Sequence, residues 1–356
     1  MKPTMMTYIA EEEAMAATIL SQYPANLPAE ITGKEWLVLA TGSSLNAIKS
    51  AKYYMERVAN LRITIEEPFN YRYYEKIDPH IDLVIGVSQS GESTSTIEAI
   101  AHIRRTYDVP TLGFTSKMES ELAQSADFTV DIGCGQERVG YVTKGFTATV
   151  LTLMLTALNH GKQTGFISAE QEAAELEMFR DATSAIPAVI SQTEAFFTKF
   201  ESEFVAAPRF TAIGYGPAVG TCKEIETKFQ ETIRVPSQGV DLEAFMHGPY
   251  LEVNPEHRIF FLETESVVKE RLELLRAYEE KHTAYTYTVK FGTSNNSRTL
   301  ALPDVVDEWK APYLLAIPFQ ILAHHIAEAK GNKLTERIYT DFGVSVKSKT
   351  KPGDYA

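Results

Sequence analysis

The sequence has few cysteines and no excess of positive charge. Only Cys134 and Cys222 occur among its 356 residues, and neither stands in a metal-ligand spacing with other cysteines or histidines. No disulfide framework is implied, and a reducing cytoplasm fits best. Lysine and arginine number 34 against 47 aspartates and glutamates, a formal net charge of −13, which argues against a nucleic-acid partner. An anionic ligand must therefore be held by local groups.

Long apolar runs are also lacking. Apolar residues at 5–10 are interrupted by glutamates at 11–13 before a signal-peptide core could form. No later stretch approaches the roughly 20 apolar residues of a membrane span. We therefore expect no membrane partner and a cytoplasmic location. The longest apolar run, residues 150–158, is broken by threonine and predicts a buried helix.

One short segment is rich in hydroxyl groups. Residues 88–94, Ser-Gln-Ser-Gly-Glu-Ser-Thr, lie between a strand pattern at 83–87 and a helical pattern at 97–103. Side-chain O–H and backbone N–H groups can converge there on an anion, and the following helix adds its positive N-terminus. The loop has no lysine or arginine, so it predicts a neutral phosphate cradle rather than a P-loop. Serine and threonine also favour ordinary helix starts, so the loop alone leaves a purely structural role open.

The chain repeats a pattern of strand, turn and helix. Residues 36–40, a tight turn at 41–44 and a helix from Leu45 to Val58 recur in the second half, where Gly216 lies 174 positions after Gly42. The same offset aligns 86–88 with 260–262 and 112–114 with 286–288, each within a hydrophobic strand. Strands alternating with helices at this pitch predict an α/β fold with two tandem, doubly wound parallel sheets.

The pattern divides the chain into five parts. We expect an N-terminal helical segment (1–30), a first α/β/α domain (31–164), a helical connector (165–203), a second domain (204–342) and a C-terminal tail (343–356). The halves differ at the hydroxyl loop, because the offset of 174 aligns 88–93 with 262–267, which contain Glu263 and Glu265. Two carboxylates would repel a phosphate. The anion site should therefore belong to the first half only.

Several motifs together carry a resemblance to a known family. They are Gly42-Ser43-Ser44, the loop at 88–93, Phe69-Asn70-Tyr71-Arg72, Glu137 with residues 143–147, and His247-Gly248-Pro249. Over roughly residues 30–346 the chain resembles the sugar isomerase (SIS) domain family, most closely the isomerase half of glucosamine-6-phosphate synthase and the fructosamine-6-phosphate deglycases. The resemblance implies a small-molecule phosphosugar ligand, no metal and no organic cofactor.

The resemblance also implies roles for particular residues. In the family the Ser/Thr loop binds the sugar phosphate, and the matching positions here are Ser43, Ser44, Ser88, Gln89, Ser90 and Ser93. Glu231 and His247 stand at the family's separation of a glutamate and a histidine. The glutamate would move a proton between C1 and C2, and the histidine would open the sugar ring. From the residues alone, a glutamate at a helix end such as Glu231 is usually a solvated charge, and a lone histidine before Gly-Pro such as His247 is more often a turn residue. In related proteins the histidine comes from the neighbouring subunit, so we expect a homodimer or higher homo-oligomer with a shared active site.

Two departures from the synthase bear on the reaction. Aligning the C-terminal tail places Gly343 and Val344 where the synthase has a lysine that forms a Schiff base, while Lys347 and Lys349 are nearby but out of register. The chain also reaches its first strand near Trp36 without an N-terminal glutaminase. A fructosamine 6-phosphate already carries an amine, so an enzyme that cleaves it needs neither a Schiff-base lysine nor a glutaminase. We therefore expect a deglycase that yields glucose 6-phosphate and a free amino acid.

Alternatives remain open. The same residues would serve a glucosamine-6-phosphate deaminase or an aldose–ketose phosphosugar isomerase related to glucosamine-fructose-6-phosphate aminotransferase. A phosphosugar sensor without turnover would need the loop at 88–93 but not Glu231 or His247. The sequence does not name the amine. His324 and His325 lie on an apolar helical pattern without a third ligand, which favours packing or an interface over metal binding.

Overall fold

The computed structural model describes residues 2–31 and 33–352, and within them strands alternate with helices. The last four residues of the expected tail lie outside the described residues. The strands are β1 (Glu35–Ala40), β2 (Arg62–Glu66), β3 (Leu83–Val87), β4 (Thr111–Thr115), β5 (Phe128–Asp131), β6 (Phe210–Gly214), β7 (Ser237–Asp241), β8 (Arg258–Glu263), β9 (Thr286–Phe291) and β10 (Thr299–Leu302).

The helices occupy most of the remaining chain. They are α1 (Met5–Ile9), α2 (Glu12–Gln22), α3 (Gly42–Ala59), α4 (Pro68–Tyr74), α5 (Thr94–Thr106), α6 (Glu121–Ser125), α7 (Lys144–Gln163), α8 (Ala169–Ser184), α9 (Ile186–Val205), α10 (Ala218–Thr232), α11 (Leu242–Met246), α12 (Lys269–Glu279), α13 (Ala311–Ala329) and α14 (Phe342–Ser345), with a short 3₁₀ helix at Pro249–Glu252.

The strands form two five-stranded sheets with the same topology. The first has the order β2-β1-β3-β4-β5 and the second β10-β9-β8-β6-β7. Numbered within each half, both read 2-1-3-4-5, and all neighbouring strands run parallel. Because ligands of such sheets bind beyond the carboxyl ends of the strands, where the strand order reverses, the residues after β1 and β3 are of first interest. The predicted fold class is confirmed.

The register corrects the predicted alignment of the two halves by one residue. Trp36 pairs with Leu83 in the first sheet, whereas Phe210, 174 positions after Trp36, pairs with Arg258 in the second. The offset is therefore 174 for β6 and β7 and 175 for β8 and β9. The second half has gained one residue between β7 and β8. As a result the structural counterpart of Ser88 is Glu263 rather than Leu262.

The chain forms two compact units, which we describe separately. One, the first-sheet unit, comprises Ala14–Glu177 and the chain from Glu336 onward. The other, the second-sheet unit, comprises the chain up to Glu13 and Met178–Thr335. The first-sheet unit thus contains the hydroxyl loop together with the C-terminal tail. The second-sheet unit contains both Glu231 and His247.

Both faces of the first sheet are covered. Leu37, Leu39 and Val84 pack with residues of α4, α5 and α6 in one apolar cluster. Trp36 points to the opposite face, because side chains alternate along a strand, and its ring lies 5.2 Å from that of His160 on α7. Helix α7 packs against α3 and is buried from Lys144 to Gly161. The predicted buried helix at 150–158 is confirmed.

The second sheet buries a mixed aliphatic and aromatic cluster on one face and a group of aromatic rings on the other. Ile213, Ile259 and Phe261 pack with α11 and α12. On the other face the ring of Phe260 lies within 6.3 Å of four aromatic rings from α9, α10, β9 and α13: Phe204, Phe229, Tyr287 and Phe319. Both sheets are therefore rigid platforms for the loops at their carboxyl ends.

Candidate active site

The hydroxyl residues converge at the carboxyl ends of β1 and β3, which are adjacent strands. Helix α3 begins at Gly42, so Ser43 and Ser44 lie in its first turn rather than in the predicted tight turn. Ser88 follows β3 directly, and the Gln89 N–H donates to Ser44 Oγ over 3.4 Å. Two segments 45 residues apart in sequence thus meet at one point.

The loop is a tight turn that opens a helix. The Gly91 N–H donates to the Ser88 carbonyl over 2.9 Å, and Gly91 has a φ of +66°. A Cβ at Gly91 would lie 2.2 Å from Ser120 Oγ, so only glycine fits. Ser93 is the N-cap residue of α5, a 13-residue helix. The positive end of this helix therefore faces the loop, as anion binding requires.

The side chain of Gln89 is held from two sides. Its Nε2 donates to Ser116 Oγ over 3.2 Å and to Cys134 Sγ over 3.5 Å, while Ser116 Oγ donates to the Gln89 carbonyl over 2.7 Å. Burial raises the pKa of the Cys134 thiol to about 11. Cys134 is therefore a neutral thiol near pH 7 that positions Gln89. Ser116 and Cys134 had no sequence signal linking them to the loop.

The C-terminal tail contributes a lysine to this loop. Lys349 Nζ donates to Ser90 Oγ over 2.9 Å, and Lys349 forms an antiparallel bridge with Ser93. The Thr94 N–H, the first of α5, donates to the Ser348 carbonyl over 3.3 Å. Burial lowers the pKa of Lys349; nearby Glu92 opposes this shift and Lys117 adds to it. The loop itself contains no lysine or arginine, but the fold brings Lys349 to Ser90, which lies 259 positions earlier in the sequence.

A cavity borders the loop. It measures about 350 Å³ and is lined in part by Glu92, Lys117, Ser120 and Lys351. Lys117 Nζ lies 2.7 Å from Glu92 Oε1, so the carboxylate of the loop is already neutralised. The volume falls within the usual range for small-molecule pockets. Its lining also includes Glu119 and Glu121 and none of the six predicted phosphate residues, so it adjoins the hydroxyl loop without containing it.

Glu231 lies at the end of α10 beside a buried lysine. Lys228 Nζ donates to Glu231 Oε2 over 2.7 Å and lies 3.6 Å from Glu224 Oε1. The side chains of Lys228 and Glu224 are 2% and 3% exposed, whereas that of Glu231 is 39% exposed. One cation thus bridges a buried and an accessible carboxylate on one helix face. The spacing of 224, 228 and 231 was available in the sequence as a signal for this triad.

His247 follows α11, where it is exposed. Its Nε2 lies 3.0 Å from Glu243 Oε1, and Glu243 Oε2 lies 2.8 Å from Arg271 Nη2. Asp241 caps α11 by accepting the N–H of Glu243 over 2.9 Å. Glu243 thus holds one ring nitrogen of His247. Among the described residues Glu231 and His247 form no hydrogen bond with each other.

The second sheet carries a different group at the position of the hydroxyl loop. Glu263, the counterpart of Ser88, is 4% exposed and lies 2.9 Å from Arg276, 3.0 Å from Lys290 and 3.6 Å from Lys269. Burial tends to raise the pKa of Glu263, but hydrogen bonds from Lys290 and Arg276 outweigh it and hold the pKa below the ordinary value. In the second sheet, the carboxylate of Glu263 therefore occupies the position that corresponds to Ser88 of the hydroxyl loop.

The histidine pair lies within the second-sheet unit. His325 Nε2 lies 2.9 Å from Glu194 Oε1, and its ring contacts Phe197 at 5.0 Å between centroids. Among residues 2–31 and 33–352, no three His, Cys, Asp or Glu side chains cluster so as to hold a metal ion. Within that same part of the chain, no helix has the length and apolar character needed to span a membrane.

Comparison with known proteins finds a family match for part of the chain. Residues 33–159 match the SIS domain. A glutamine–fructose-6-phosphate aminotransferase (isomerizing) of Gloeobacter violaceus is 29% identical over 300 residues, which cover 83% of this chain and 49% of that protein. The chain spans about half the length of the curated relatives it matches.

Solved structures share the whole architecture. A protein described as a phosphosugar isomerase from Clostridium difficile 630 superposes with a TM-score of 0.87 at 22% identity, covering 99% of this chain and all of that one. The C-terminal domain of glucosamine-fructose-6-phosphate aminotransferase from Francisella tularensis gives 0.81 at 23% identity, with 92% and 96% covered. Family match and fold agree: residues 33–159 match the SIS domain, and the whole chain shares the fold of these solved structures.

Proposed function

We propose that the protein is an enzyme acting on a sugar 6-phosphate, and that its reaction is the cleavage of a fructosamine 6-phosphate to glucose 6-phosphate and a free amino acid. The observation that carries the first part is the contact between Gln89 and Ser44, which joins the hydroxyl groups after β1 and β3 at the N-terminus of α5. The six predicted phosphate residues, Ser43, Ser44, Ser88, Gln89, Ser90 and Ser93, all lie in the two segments that meet there.

The proposed chemistry begins with ring opening. His247 donates a proton to the ring oxygen as the bond from that oxygen to C2 breaks, and the anomeric hydroxyl on C2 releases its proton to water, which leaves a ketone at C2 and the amine at C1. Glu243 Oε1 accepts a hydrogen bond from His247 Nε2 over 3.0 Å, so that Nδ1 is the nitrogen that exchanges the proton with the sugar. A histidine exchanges protons near neutral pH and suits this step.

Glu231 then moves a proton from C1 to C2. Its carboxylate removes the C1 proton while the C2 oxygen gains one, which gives an enaminol. Return of a proton to C2 gives an aldose imine, and addition of water to C1 releases the amine and glucose 6-phosphate. Lys228 stabilises the carboxylate through its 2.7 Å hydrogen bond. A positioned base of this kind contributes about 10²- to 10⁴-fold to a rate.

Lys349 is the specific observation that favours a second candidate. The relatives named above include isomerizing aminotransferases of fructose 6-phosphate, and a lysine beside the loop could form an imine with a ketose. A phosphosugar isomerase or a glucosamine-6-phosphate deaminase would then be the better description. A sensor without turnover would need the loop but neither Glu231 nor His247.

Turnover assays separate these candidates. We expect release of glucose 6-phosphate from fructoselysine 6-phosphate or another 6-phosphorylated Amadori compound, measured with a coupled dehydrogenase. Conversion of fructose 6-phosphate or glucosamine 6-phosphate in place of every Amadori compound would establish the isomerase or deaminase. Tight binding without conversion of any of them would establish the sensor.

Trapping with borohydride tests the role of the lysine. A deglycase needs no enzyme imine, so borohydride added during turnover should leave the protein mass unchanged. A substrate adduct on Lys349 or Lys347, found by peptide mass spectrometry, would contradict the deglycase and support the imine-forming isomerase.

A further inference from the structure

Lys349 lies beside the hydroxyl loop without a carboxylate partner. Among the described residues its ammonium group forms no salt bridge, and its hydrogen bond goes to the neutral hydroxyl of Ser90. The carboxylate of Glu92 is already neutralised by Lys117 at 2.7 Å. In a protein with a net charge of −13, a partly buried cation that has no counter-ion is costly unless an anion joins it.

Two buried hydroxyl groups at the same place also lack partners. Thr94 Oγ1 and Thr350 Oγ1 are inaccessible to solvent and form no hydrogen bond within the described chain. The Thr350 N–H donates to the Glu92 carbonyl over 3.2 Å, so Thr350 belongs to the contact between tail and loop. Buried hydroxyls are normally satisfied. The contact between tail and loop therefore leaves polar groups unsatisfied in this structure.

We propose that Lys349 is a phosphate-binding residue: the C-terminal tail supplies the positive charge that the loop lacks, and it completes the cradle formed by Ser44 and Ser88–Ser93. This inference deepens the proposed function and rests on it. The cation comes with the tail, so a phosphosugar is recognised through its dianionic phosphate only when the tail is docked.

The position of the ammonium group favours this role over imine formation. Lys349 Nζ hydrogen-bonds Ser90, one of the residues that would bind the phosphate. The carbonyl carbon C2 of a ketose 6-phosphate is separated from phosphorus by six bonds, about 7 Å in an extended chain. A lysine that contacts the phosphate end cannot reach C2 from the same position. A charge-assisted hydrogen bond to phosphate, by contrast, needs only the observed placement.

The test compares variants by their affinity for inorganic phosphate and for fructose 6-phosphate, measured by titration calorimetry at fixed ionic strength. Lys349→Met should weaken both at least tenfold, whereas Lys349→Arg should stay within about threefold, because it keeps the charge. Lys76→Met, at an exposed lysine of the same unit, is the control and should bind as the wild type does. Equal thermal unfolding temperatures would show that the variants are folded.

The outcomes distinguish this inference from the proposed function. If Ser90→Asp abolishes phosphate binding while Lys349→Met leaves it unchanged, the loop is the phosphate site and the role of Lys349 is refuted. If neither variant changes phosphate affinity, the loop itself is not the site and the proposed function fails. Borohydride trapping of a ketose phosphate on Lys349 would also overturn the inference, since the amine would then reach C2.

Discussion

The carboxyl ends of β3 and β8 occupy equivalent positions in two sheets of identical topology. Their side chains differ: one position has neutral hydroxyl groups and the other a carboxylate paired with cations. After β3 the chain presents Ser88 and a turn rich in hydroxyl groups, with the N-terminus of α5 behind it. At the end of β8 it presents Glu263, surrounded by Lys269, Arg276 and Lys290. The second sheet therefore holds a permanent internal anion where the first can hold a ligand.

The surroundings of the two positions strengthen the contrast. A small cavity beside Glu263 is lined also by Glu265, Asp304, Asp307 and Glu308, so its outer rim repels an anion. The three cations inside are already neutralised, at least in part, by Glu263. A repeated fold therefore does not imply a repeated site, since the residue at the strand end and its charged surroundings differ between the two halves.

The largest effect is expected at Glu231, which tests whether the second-sheet unit carries the chemistry. Glu231→Gln should lower kcat by about 10²- to 10⁴-fold, because a positioned base is lost, while the affinity for phosphosugar stays near that of the wild type. Steady-state kinetics and calorimetry measure the two quantities. Glu270→Gln, an exposed change on α12, is the control. Full activity of Glu231→Gln would remove the proposed mechanism.

Removing the charge of Glu263 tests whether this carboxylate is the internal counter-ion of the second sheet. Glu263→Gln leaves three cations without their carboxylate, and we expect the free energy of unfolding to fall by about 3 kcal/mol. Inorganic phosphate should restore part of this loss in the variant and stabilise it more than the wild type. Glu265→Gln is the control, because its side chain is 79% exposed and its pair with Lys269 contributes little. A variant as stable as the wild type would show that Glu263 is not an internal counter-ion.

The pH dependence of this effect has a defined sign. The pKa of Glu263 is lower in the folded protein than its ordinary value of 4.5, so its contribution to stability is fully present above pH 4.5 and is lost as the pH falls through the folded-state pKa. The difference in unfolding free energy between wild type and Glu263→Gln should therefore shrink on acidification below pH 4.5. Denaturant titrations across that range measure it.

Ser90→Asp gives the first sheet a carboxylate near the strand end, as the second sheet has in Glu263. A carboxylate in the hydroxyl loop should weaken phosphosugar binding tenfold or more, about 1.4 kcal/mol, through repulsion of the phosphate. Ser266→Asp, in the loop after β8, is the matched control and should leave affinity unchanged. Calorimetry with fructose 6-phosphate measures both. Unchanged affinity in a folded Ser90→Asp protein would exclude the loop from the site.

The sequence revealed the repeated units because each strand and helix has its own apolar period. It did not reveal the extra residue between β7 and β8, because strands such as β3 and β8 are buried on both faces and their apolar runs look alike when shifted by one position. Only the hydrogen-bonding register, with Phe210 opposite Arg258, showed it. The start of α3 was placed three residues late for a similar reason, since Gly42 gave a turn signal although it begins the helix.

The candidate site was partly predictable. The hydroxyl loop was visible because its residues are contiguous, and Lys228 could have been found from its spacing to Glu224 and Glu231 on one helix face. Lys349 could not, because its contact with Ser90 joins residues 259 positions apart. Sequence spacing predicts neighbours within a helix or across adjacent strands, but not where a tail docks.

A mixing experiment tests whether the Glu231 and the His247 of one active site come from the same chain. If His247 serves the site of a neighbouring subunit in a homodimer, Glu231→Gln and His247→Ala proteins, each inactive alone, should complement each other when mixed. In a heterodimer one of the two sites would have both groups intact, so random exchange should restore about a quarter of wild-type activity. Mass spectrometry of the native complexes would verify the exchange. Persistent inactivity despite verified heterodimers would place Glu231 and His247 of each site on one chain.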